Sequence, residues 1–109
     1  MSRDAGLEEL IRQELSARNG ISEKPMFGGL AFLLDGHLLC GARNDGMLVR
    51  LGKGNDGWAL ALDGIELMVM GDRRMNGWVR AGPAAFGDDR LRKRLLDAAL
   101  TYVLALPPK

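Results

Sequence analysis

The chain is short of the side chains that perform covalent chemistry. It holds one histidine (His37), one cysteine (Cys40), one tyrosine (Tyr102) and one threonine (Thr101), and its three serines, Ser2, Ser16 and Ser22, fall within the first 22 residues. One cysteine excludes an internal disulfide, and the lack of a Cys/His cluster excludes a structural zinc site. Catalysis by a hydroxyl or thiol needs a nucleophile with a base in reach. With so few such groups, the sequence predicts a protein that is not an enzyme and that carries no cofactor or metal. Apolar runs fall well short of the roughly 20 residues of a membrane-spanning helix, so no membrane partner is expected. The N-terminus leads into a Glu-rich segment rather than an apolar leader, which predicts a cytoplasmic protein.

What the sequence does hold is an ordinary globular composition: 109 residues, 47% hydrophobic and 27% charged. That is one domain, residues 1–109, with enough apolar material for a core. Leu7, Leu10, Ile11 and Leu15 recur at helical spacing and predict a helix over 4–18, capped by Asp4 and stopped at Asn19-Gly20. Residues 21–25 read as a connector, because a residue before proline is pushed out of the helical region. Five strands follow, at 26–34, 37–42, 47–51, 66–70 and 77–81. Asp35-Gly36 between apolar runs marks a hairpin. A short helix through Trp58, with Asn55 or Asp56 as its cap, separates the third strand from the fourth. Residues 83–87 read as a loop. The last helix starts at Asp88 or Asp89, carries Leu91, Leu95, Ala99, Val103 and Leu106 on one stripe, and stops at Pro107-Pro108. The order α-β-β-β-α-β-β-α predicts an α+β protein with an antiparallel sheet.

Several stretches carry a family resemblance. They are Lys24-Pro25-Met26-Phe27-Gly28-Gly29-Leu30-Ala31-Phe32 with Asp35-Gly36, then Met47-Leu48-Val49-Arg50-Leu51, then Arg74-Met75-Asn76-Gly77-Trp78-Val79, and the closing helix before Pro107-Pro108-Lys109. Together they resemble the N-terminal domain of the TfoX/Sxy family. The resemblance implies a two-layer α+β fold with a five-stranded antiparallel sheet, similar to type III secretion chaperones. It also implies a regulatory role, since full-length members control natural competence and transcription alongside the cyclic-AMP receptor protein. Those members carry a second, helical domain, so this chain reads as a stand-alone N-terminal domain.

Candidate contact residues come from three places. Phe27, Gly28 and Gly29 form either a binding loop or a close-packed strand junction. A cleft near them and Trp78, with Arg50 or Arg80 holding an anion, would suit a small anionic ligand. Residues 73–94 hold seven basic groups against two acidic ones, while the rest of the chain is net negative. Arg90, Arg92, Lys93 and Arg94 crowd the start of the last helix, where the dipole disfavours cations. They form either a solvated face or a patch for a protein partner or, weakly, for nucleic acid. His37 is expected at the surface beside its turn, and Cys40 as a buried, inert thiol. Trp58, Trp78, Met26, Met47, Met68, Met70 and Met75 read mostly as core. Strand 66–70 is apolar on both faces, which suits a central strand or an edge hidden in a homodimer. The preferred reading is a non-enzymatic regulatory or protein-interaction module.

Overall fold

A computed structural model describes residues 4–26 and 28–107. Phe27, Pro108 and Lys109, used above, lie outside the described residues. Helix α1 spans Ala5–Leu15, and the Asp4 carboxylate accepts from the Leu7 amide at 3.0 Å. Strands β1 (Ile21–Met26), β2 (Gly29–Leu34), β3 (His37–Arg43) and β4 (Gly46–Arg50) follow. After helix α2 (Gly57–Leu60) come β5 (Ile65–Met70) and β6 (Arg73–Ala81), then α3 (Pro83–Phe86) and α4 (Asp89–Leu104). The Asp88 carboxylate caps α4, accepting from the amides of Arg90 and Leu91.

The architecture is α+β, but the sheet has six strands rather than five. All neighbours are antiparallel, in the order β1-β2-β3-β4-β6-β5. The additional strand is the segment expected to be a connector. Ser22, Glu23, Lys24 and Pro25 are all exposed, so the segment shows no apolar alternation. As an outer strand pairing only with β2, β1 tolerates a proline that cannot donate to a ladder. The single strand expected over 26–34 is interrupted at Gly28, whose φ is +74°. Residues 83–87 are likewise not a loop: Pro83 supplies the fixed φ that starts α3. Strand 66–70 is an edge strand, not a central one.

The pleat divides the side chains between two faces. Phe32, Cys40, Val49 and Val79 stand in register across β2, β3, β4 and β6 and are fully buried. They form a row beneath Leu7, Ile11 and Leu15 of α1 and Leu95, Leu96 and Ala99 of α4, which share their core. The opposite face carries a smaller cluster of Leu48, Met68 and Trp78, flanked by Leu38, Met70 and Met75. Pairing jumps from Leu67–Val79 to Val69–Arg74 between β5 and β6, an irregularity of the kind that bends a strand. Met68 packs there with Leu48 and Trp78. Arg12 ties α1 to the outer strand through Glu23 at 2.7 Å, and that carboxylate pushes the arginine pKa up.

Candidate interaction site

The residues singled out in the sequence do not assemble into one site. Gly28 and Gly29 lie at the β1–β2 turn, while Trp78 is on β6, with β3 and β4 between them. A side chain at Gly29 would strike the Ala42 carbonyl of β3, so this glycine serves close strand packing. Arg80 donates to the Asp45 carbonyl at 2.7 Å and pairs with Glu66. The four cations of α4 separate by what they touch. Arg92 is buried, donating to Glu14 at 3.1 Å, to the Phe86 carbonyl at 2.9 Å and to Asp89 at 2.9 Å. It joins α1, α3 and α4. Lys93 pairs with Asp97 one turn on, at 3.2 Å. Arg90 is exposed. The Arg94 guanidinium lies 4.2 Å from the centre of the Trp58 ring.

That last contact marks the feature the sequence reading missed. A cleft of about 340 Å³ opens between α2 and α4, lined by Leu51, Asn55, Trp58, Ala98, Thr101 and Tyr102. Its second aromatic is also stacked: the Arg50 guanidinium sits 5.5 Å from the Tyr102 ring centre and donates to the Leu38 carbonyl at 3.1 Å. The floor depends on a tight backbone crossing. The amides of Leu51 and Gly52 donate to the Gly77 carbonyl at 2.8 and 3.0 Å. Gly52 and Gly77 both have positive φ. A Cβ at Gly52 would run into the Tyr102 ring, and one at Gly77 would sit 2.6 Å from the Lys53 nitrogen.

A signal for this cleft exists in the sequence. Arg94, Ala98, Thr101 and Tyr102 fall at i, i+4, i+7 and i+8, a second stripe beside the apolar one. Nothing local says that Trp58, some 40 residues earlier, would close over it.

The remaining reactive groups lie apart. His37 Nε2 donates to the Pro107 carbonyl at 2.8 Å. Cys40 is fully buried, and burial pushes its thiol pKa up. Among the described residues, no group of three or more His, Cys, Asp or Glu side chains is placed to hold a metal ion, and no helix is long and apolar enough to cross a membrane.

Fold and cleft together define a small α+β domain with an open antiparallel sheet, whose helical layer presents an aromatic cleft. The chain belongs to the TfoX N-terminal domain family, whose model matches residues 13–102. Comparison with curated proteins and with solved structures returns no match.

Proposed function

We propose that this chain is a non-enzymatic, cytoplasmic interaction module of a regulatory system, and that it engages a protein partner through the cleft between α2 and α4. The observation that carries this reading is the half-buried pair Trp58 and Tyr102 lining an open cleft at the surface. Aromatic side chains at a surface pocket are frequent anchors of protein contacts. Family membership supports a regulatory setting, of the kind that the competence and transcription regulators represent. Burial of the Cys40 thiol and engagement of His37 Nε2 by the Pro107 carbonyl leave the cleft without a nucleophile–base pair among the described residues, which supports a binding role over a catalytic one.

The test compares what two surface variants retain. Thr101→Trp places a bulky neutral side chain at the mouth of the cleft, while Arg18→Ala alters an exposed position on the connection from α1 to β1. Partners captured by the wild-type chain are expected to be lost from Thr101→Trp, by about tenfold or more, and retained by Arg18→Ala. Equal recovery with both variants would refute the reading.

A further inference from the structure

The arginines of this chain are held in two different ways. Arg12, Arg43, Arg80 and Arg92 each meet a carboxylate, from Glu23, Asp45, Glu66 and Glu14. Among the described arginines fixed by a side-chain or ring contact, Arg50 and Arg94 alone stack on aromatic rings with no carboxylate in the pair. Both rings line the same cleft. Stacking orients a guanidinium while leaving its edge N–H donors available. Arg50 spends one donor on a backbone carbonyl. Exposed Lys53 lies in the loop that leads to the cleft residue Asn55. On α4, Asp97 is already paired with Lys93 at 3.2 Å.

The apolar surface also continues beyond the cleft. Leu104 is 54% exposed and stands three residues after Thr101, on the same side of α4. A small molecule would not cover it, whereas an extended chain would.

We infer that the occupant of this cleft is an acidic segment of a protein partner, with one apolar side chain between Trp58 and Tyr102 and flanking carboxylates on Arg94 and Arg50. This inference rests on the reading of the cleft as the contact site and specifies its chemistry. Planar guanidinium groups accept carboxylates bidentately, and aromatic stacking holds both guanidinium groups in place before the partner arrives. The apolar anchor supplies burial, and the charges set which partner is accepted.

Blocked octapeptides test it: one with a central Phe flanked by glutamates, one flanked by lysines, and one with glutamates around Ala. Binding is read by calorimetry and by amide shifts. The Glu-flanked Phe peptide is expected to bind best, to move the amides of Asn55, Trp58, Thr101 and Tyr102, and to weaken between 50 and 300 mM salt. Arg94→Glu, at an exposed position, is expected to keep its thermal melt, to lose about tenfold in affinity for the Glu-flanked peptide, and to gain affinity for the Lys-flanked one. Indifference to flanking charge, or to Arg94→Glu, overturns the inference, as does a duplex oligonucleotide moving the same amides more strongly. Should Thr101→Trp abolish partner capture while the acidic peptide fails to bind, the contact site stands and its acidic occupant falls.

Discussion

Arg92 and Arg94 are two residues apart on α4 and meet opposite surroundings. Two positions on a helix are about 200° of rotation, which turns Arg92 inward between α1 and α3 and leaves Arg94 at the surface over Trp58. In the sequence they belong to one basic cluster with Arg90 and Lys93. Charge and spacing reveal the cluster; they do not reveal that Glu14, 78 residues away, waits for one member of it. Removing Arg92 leaves Glu14 and the Phe86 carbonyl without their donor in a largely dry place. Arg92→Met is therefore expected to cost about 2 kcal/mol, with the partial exposure of Glu14 keeping the loss below that of a fully buried pair. Arg90→Met, at an exposed site, is expected to stay within about 0.5 kcal/mol of wild type. Urea unfolding of the two variants measures both, and equal losses would remove the structural role assigned to Arg92.

Among the elements, the two long helices were legible because each has a buried stripe of helical period, and the inner strands because each is an apolar run bounded by turn residues. Leu7, Ile11 and Leu15 of α1 are buried as their spacing predicts, and Met47, Val49 and Leu51 share the main core. The outer strand β1 was not legible. Its residues are exposed, so the physics that writes a period into a sequence does not act on them. The loop after β4 lies between these cases. Its glycines announce a break, but the reason for Gly52 is tertiary: it makes room for the Tyr102 ring, as Gly77 on β6 does for the backbone at Lys53. Gly77→Ala places a Cβ 2.6 Å from the Lys53 nitrogen at a residue with φ +88°. Left-handed backbone strain plus a backbone clash is expected to cost at least about 2 kcal/mol. A thermal melt would show this as a fall of roughly 8 °C or more. Gly71→Ala, also at positive φ but with open space around it, carries the backbone strain without the clash, and the smaller loss expected there separates the two causes.

At the scale of the molecule, the central row Phe32, Cys40, Val49 and Val79 ties the sheet to the helical layer. Cys40 makes this visible in the pH dependence of stability. Burial holds its thiol protonated in the folded chain, while the unfolded thiol ionises near its ordinary value of about 8.5. Above that pH the unfolded state releases a proton that the folded state keeps, so stability is intact below about 8.5 and falls as pH rises, by up to about 1.4 kcal/mol per pH unit. Cys40→Ala, though less stable throughout, is expected to lose this slope. Urea unfolding between pH 7.5 and 10 measures it, and parallel slopes for the two proteins would contradict the assignment.

Local spacing was enough for the α+β class, the inner strands, the two long helices, with Asp4 capping the first and Asp88 or Asp89 opening the last, and the separate stretches that carry the family likeness. Each of these depends on residues within a few positions of one another, so local spacing records it. The sixth strand, the structural role of Arg92, and the meeting of Trp58 and Tyr102 at one cleft with Arg94 and Arg50 stacked on them emerge in the folded chain. These depend on groups some 40 to 80 residues apart, or on edges that burial never patterns. Close packing alone brings such groups together, and packing leaves no period in the chain.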